Sequence, residues 1–276
     1  MLLIFTGTLS GQSALMDSLQ QRLEENISPI HEIDVLLGMC RLAGFSGDWS
    51  LLEEKAQRAI QLSKAQGYER GMIWGYISLS NKAGEAGDID ASLGYMQQAI
   101  EVVDKSKDKS TEVAVMYWVA EHYLYYKNDL DTAIVILQSA IDKATRLTPL
   151  KDIGNVYKNL GICYDDLGED TTALSYFDLA LDYYQRPFIY DELGGSSALE
   201  VDNGQLNSGQ IYIYKGTLFQ NQGRYEEGII TVEKALAIYQ RLEMPFFIAW
   251  AYENLGILYR LQGKTKEAVE YFQAAK

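Results

Sequence analysis

Ala59, Ala99, Ala140, Ala180, Ala235 and Ala275 fall 40, 41, 40, 55 and 40 residues apart. A chain that repeats itself at such an interval folds as a solenoid of one supersecondary unit, because each unit can bury its apolar face only against its neighbours. The repeat displaces the reading that 276 residues with 47% apolar content would otherwise invite, one large or two ordinary globular domains. It also moves the search for function from enclosed pockets to extended surfaces.

Setting the unit starts at Ile33, Ile73, Ala114, Gly154, Gly209 and Ala249 aligns the remaining features. Position four reads Leu36, Tyr76, Tyr117, Tyr157, Tyr212 and Tyr252, and position seven reads Met39, Leu79, Ala120, Leu160, Lys215 and Leu255. Position eleven reads Ala43, Ala83, Leu124, Tyr164, Phe219 and Tyr259. Steps of three and four place these on one helical face. Position eight is small (Cys40, Ser80, Gly161, Gly216, Gly256), as close approach of two helix backbones requires, with Glu121 the exception.

Position fifteen is Gly47, Gly87, Asn128, Gly168, Gly223 and Gly263. Glycine, and less readily asparagine, adopts the left-handed backbone that stops a helix. Asp48, Asp88, Asp129 and Glu169 follow at once, where a carboxylate suits the start of a second helix. That second helix carries Ala56, Met96, Leu137, Phe177, Val232 and Phe272 at position twenty-four, and the six alanines at position twenty-seven. Each unit therefore predicts a hairpin of two helices, A and B.

The runs Tyr157-Lys158-Asn159-Leu160-Gly161-Ile162-Cys163-Tyr164 and Tyr252-Glu253-Asn254-Leu255-Gly256-Ile257-Leu258-Tyr259 carry the pattern best, and it resembles the tetratricopeptide repeat over residues 33–276. The resemblance implies an all-α fold, a right-handed superhelical solenoid of six hairpins. The units are 33–72, 73–113, 114–153, 154–208, 209–248 and 249–276, after an N-terminal segment 1–32. The family repeats at about 34 residues, with a proline at position thirty-two that is missing here. Six more residues add about 1.7 helical turns, to be found in longer B helices or longer linkers. Extended units of this kind are similar to those of kinesin light chains, of bacterial peptide-receptor regulators, and of the sensor segments of transcription activators and signalling enzymes.

The 55-residue interval hides an insertion within 187–208, where Pro187, Gly194-Gly195-Ser196-Ser197 and Asn203-Gly204 predict a loop, with a helical turn around Ser197 to Val201. Ahead of unit one, Leu15, Leu19, Leu23 and Ile27 recur every four residues, an amphipathic helix able to cap the array, with Pro29 ending it. Lys276 falls in the middle of a helix B with no polar cap behind it, so the expectation is a longer parent protein or a covering partner.

A net charge of -14 without a basic run argues against nucleic acid and for neutral or basic partners. Cys40 and Cys163 lie in helical patterns, where a free thiol packs as a small apolar group. Two such cysteines fit a reducing compartment, the cytoplasm, although a periplasmic domain without disulfides has the same composition. The apolar opening Met1 to Phe5 is far short of a membrane span and reads as a docking strand or a leftover.

Catalytic chemistry finds no carrier. His31 and His122 form no ligand or triad pattern, and no nucleophile elbow, phosphate-cradling loop or paired-cysteine site occurs, so neither cofactor nor metal is implied. Some bacterial peptide receptors resembling this array act on a phosphoprotein, but they carry an N-terminal helical bundle for which 32 residues are too few.

The resemblance implies that helices A line a concave groove, with positions two, five, six, nine, twelve and thirteen facing inward. In units one to three those positions supply Arg41, Trp74, Asn81, Trp118, His122 and Tyr125. In units four to six they supply Asn155, Lys158, Asn159, Gln210, Tyr214, Thr217, Gln220, Trp250, Glu253 and Asn254. Large aromatic rings offer contact area at small entropic cost, and amides bond a peptide backbone whatever its sequence. Packing against a neighbouring helix is the commoner use of any single one of these rings.

The family's clamp for the C-terminal carboxylate of chaperone tails is broken. Asn159 fills one place, but Trp118 and His122 replace lysine and asparagine, and Gln210 and Tyr214 replace lysine and arginine. The expected function is a non-enzymatic scaffold that binds a protein or peptide in the groove. The alternative is a sensory or regulatory segment of a larger bacterial signalling protein or transcription regulator that responds to a peptide or small ligand.

Overall fold

The computed structural model describes residues 9–25, 27–107, 111–144, 150–186 and 197–276. Among the described residues there are helices and no strands. They divide into two compact units, Leu9–Thr148 and Pro149–Lys276.

In the first unit α1 (Leu9–Glu24) precedes three hairpins: α2 (Pro29–Ser46) with α3 (Trp49–Gln66), α4 (Glu69–Glu85) with α5 (Ile89–Lys105), and α6 (Glu112–His122) with α7 (Leu130–Lys143). A π-turn, Tyr123–Lys127, joins α6 to its corner. The second unit holds α8 (Leu150–Asp166) with α9 (Asp170–Gln185), α10 (Ser197–Asn221) with α11 (Tyr225–Arg241), and α12 (Pro245–Leu261) with α13 (Thr265–Ala274).

Every A-to-B corner has the left-handed residue in place: φ is +73° at Gly47, +77° at Gly87, +52° at Asn128, +75° at Gly168, +73° at Gly223 and +78° at Gly263. Asp48, Asp88 and Asp129 then accept the amides of Leu51, Ala91 and Thr132, each at 3.0 Å, satisfying one free N–H at the start of helix B. In the first two hairpins the added length of the repeat lies in the helices themselves. Helices α2 and α3 have 18 residues each and α4 and α5 have 17 each, with Gly47-Asp48 and Gly67-Tyr68 as the connections before α3 and α4.

The small residues at position eight seat helix A on helix B. A methyl group on Gly161 would stand 2.5 Å from Phe177, and one on Gly256 would stand 2.7 Å from Phe272. In the first unit the same place is held by Ser80, whose Oγ lies 2.8 Å from Ser92 Oγ, and by Cys40, which is buried against α3.

Two expectations are corrected. The loop expected over 187–208 is helical from Ser197, so only 187–196 lies outside the described residues. Asn203-Gly204 is a weak turn signal that tertiary packing overrides: Leu206 joins the apolar cluster around Tyr239, and Ser208 and Gly209 are buried. Pro29 opens α2 instead of ending the helix before it. Proline has no N–H to lose at the first helical position, and Ser28 caps the helix by accepting the amide of His31.

The third hairpin departs from the alignment by one residue. Positions three and eight are buried in all five other units: Val35, Gly75, Val156, Ile211 and Ala251 at three, and Cys40, Ser80, Gly161, Gly216 and Gly256 at eight. Counting from Ala114 would put Met116 and Glu121 there, both half-exposed. Counting from Val113 puts Val115 and Ala120 there, both buried. The 41-residue interval thus carries one residue too many, and the π-turn takes it up: the amides of Asn128 and Asp129 both reach back to the carbonyl of Tyr123.

Candidate partner-binding faces

Successive A helices touch within each unit, α2 with α4 and α4 with α6 in one, α8 with α10 and α10 with α12 in the other. Successive B helices make no comparable contact, so the A helices form the inner layer of each unit. Positions two, five, six and nine lie on these A helices.

On the first unit's inner layer, Trp74 and Trp118 are half-buried and pack at the edge of the cluster built on Ile60, Tyr76, Met96 and Val103. Asn81 and Arg41 are half-buried, and Tyr125, in the π-turn, is 53% exposed. His122 does not belong to this set. The one-residue offset moves it from position nine to position ten, the place of Leu42, Cys163, Leu218 and Leu258, and it is 2% exposed. Its Nδ1 lies 3.1 Å from Ser92 Oγ, its Nε2 is buried without a partner, and burial with the nearby Lys127 holds its pKa below the usual imidazole value. By the same offset Trp118 sits at position six and Glu121 takes position nine.

The second unit's residues are more committed to packing. Tyr214 stacks on Phe177, ring centroids 5.7 Å apart and 8° from parallel, and meets Trp250 edge-on at 6.3 Å. Asn155 accepts from Tyr184 at 2.5 Å and from Asn207 at 3.0 Å, tying α8 to α9 and α10. Asn254 donates to the Trp250 carbonyl at 2.8 Å. Gln210 is half-buried and Glu253 exposed.

Lys158 and Asn159 are buried, which removes them from any open face. Neither Nδ2 nor Oδ1 of Asn159 has a hydrogen-bond partner. Phe247 lies outside the counted inner positions, yet it bridges Tyr239 at 5.1 Å and Trp250 at 6.3 Å. It precedes the counted start of unit six, and the signal for it was the aromatic pair after Pro245.

Among the described residues no group of three or more His, Cys, Asp and Glu side chains could hold a metal ion. No described helix is long and apolar enough to cross a membrane. The thiols of Cys40 and Cys163 are pushed by burial up to about 12, so both are protonated packing groups at neutral pH.

Residues 207–275 match the family model described as tetratricopeptide repeat. That stretch carries tetratricopeptide-type repeats. Among solved structures it is similar to BtubC (BKLC) from P. vanneervenii, with a TM-score of 0.65 and 17% identity over 82% of this chain and 89% of that one. It is also similar to a Rap protein complexed with competence and sporulation factor, with a TM-score of 0.62 and 14% identity over 97% of this chain and 74% of that one. At these identities the likeness shows the fold. Among curated proteins, regulatory protein RapG of Bacillus subtilis (strain 168) is 23% identical over 153 residues, which is 55% of this chain and 38% of the relative. The match thus spans little more than a third of that relative's length.

Proposed function

We propose that this tetratricopeptide-repeat chain is a non-enzymatic scaffold that binds a protein or peptide along the inner faces of its A helices. The observation that carries the reading is the first unit's inner layer, where Trp74 and Trp118 stand half-exposed on neighbouring A helices, with Asn81 and Arg41 on the same layer. Rings anchored at the edge of a core present contact area without losing rotamer freedom on binding, and an amide adds backbone recognition. A net charge of -14 favours a neutral or basic partner through encounter rate.

The likeness to RapG and to a Rap protein in complex with competence and sporulation factor favours a second reading, a regulatory segment whose array responds to a small peptide. Both readings use the same face. Selection of a displayed library of random linear peptides on the intact chain tests them together, with affinities of enriched peptides remeasured on Trp74→Ala and Trp118→Ala. Losses of tenfold or more support the inner face, whereas unchanged affinity on both variants, or no enrichment, would overturn it.

A further inference from the structure

The residue in excess in the third hairpin can be housed on either side of α6, in the π-turn after it or ahead of Val113. The structure shows the first. In that register α6 is counted from Val113, Ala120 seats the helix and His122 enters the core. Moving the excess ahead of α6 makes α6 and its corner one continuous α-helix counted from Ala114. Tyr117 then takes position four, as Tyr76, Tyr157, Tyr212 and Tyr252 do, and Leu124 takes position eleven.

Each register carries one misplaced ionisable residue. The observed one buries His122, with Nε2 unpartnered. The other turns His122 to position nine on the inner layer but brings Glu121 to position eight, where the other five units hold Cys40, Ser80, Gly161, Gly216 and Gly256. A neutral imidazole suits the first arrangement. A charged imidazole and a neutralised carboxyl suit the second, so acid favours it on both counts.

We propose that the π-turn at Tyr123–Lys127 is a movable one-residue defect giving α6 two registers, and that proton uptake by His122 selects the register in which it faces outward from the core. The groups around the ring agree with this. Ser92 of α5 meets Nδ1, with Ser80 of α4 behind it. Lys127 on the π-turn disfavours a second positive charge beside it. Glu85 of α4 is engaged by the Tyr126 hydroxyl at 3.3 Å, while the Tyr126 ring stands 5.3 Å from the imidazole. Asp129, ahead of α7, is occupied by Thr132. None of these places a carboxylate in contact with the imidazole to hold a buried charge in the observed register. A shift of one residue turns a helix by about 100° at 3.6 residues per turn, which moves Trp118 from position six to position five.

The intact chain labelled with 5-fluorotryptophan, its Trp118 resonance assigned by Trp118→Phe, reads the register by fluorine NMR between pH 7.5 and 5. The expected result is a second Trp118 resonance that grows as pH falls below about 6.5. It is lost in His122→Leu and on deletion of Tyr125, which removes the excess residue, and it appears at higher pH in Glu121→Ala. A single Trp118 resonance across the range, or a transition unchanged by deleting Tyr125 or by Glu121→Ala, would overturn the proposal. The readout needs no partner, so its failure leaves the binding role of the inner faces standing, and the reverse.

Discussion

Ser92 of α5 and His122 of α6 lie 3.1 Å apart, both buried, and Ser92 Oγ also lies 2.8 Å from Ser80 Oγ on α4. Three helices of two successive hairpins are joined by this chain of polar atoms. The pKa of His122 is lowered by desolvation first and by Lys127 second, so the unfolded chain binds the proton more readily than the folded one. Above about pH 6.5 both states are neutral and the residue contributes no pH dependence. As pH falls below that value stability is lost, until the lowered folded pKa is passed. Thermal melts from pH 7.5 to 5 should show a declining midpoint that flattens in His122→Leu, and an equal decline in both proteins would contradict the assignment.

Glu243, in the connection before α12, has φ +52° and carries a side chain in a conformation that favours glycine. Gly67, in the equivalent connection of the first hairpin, has φ +64°. Glu243→Gly should raise stability by about 1 kcal/mol, the cost of a left-handed backbone for an ordinary residue. Urea denaturation of the two proteins measures it. A destabilised variant would show that the Glu243 side chain contributes more than its backbone costs.

Gly216 and Gly94 are both helical glycines with opposite surroundings. A methyl on Gly216 would stand 2.4 Å from the buried Val232, whereas one on Gly94 meets nothing within 4 Å. Gly216→Ala should therefore destabilise by roughly 1–3 kcal/mol through overpacking. Gly94→Ala should stabilise by about 0.5–1 kcal/mol through helix propensity. Chemical denaturation of the pair reads the difference in sign.

Tyr239 is fully buried and its hydroxyl has no hydrogen-bond partner; desolvation by burial, with the nearby Tyr214, holds its pKa far above the ordinary phenol value. An unmade hydrogen bond in the interior costs about 1–3 kcal/mol. Tyr239→Phe should leave the thermal midpoint unchanged or raise it, while Tyr239→Ala should lower stability by about 3–5 kcal/mol by opening a cavity under Phe247. A Phe variant less stable than the parent would reveal a bond to the hydroxyl.

The hairpins, their corners and their apolar seams were legible in the sequence because each rests on local rules. Glycine at position fifteen, an acceptor after it and side chains spaced three and four apart act within a few residues, and six copies of the pattern average out its exceptions. The fate of individual inner residues was not legible in that way. Helical phase is set by packing, and a single residue of π-turn rotated everything from Val113 to His122, which took a histidine from the inner layer to the core and let Ala120 replace Glu121 at the close contact. The burial of Lys158 and Asn159 was likewise decided by tertiary packing. Local propensity carries no information about which neighbour covers a side chain, so the sequence by itself determined the repeat, and tertiary contact determined which faces stay open.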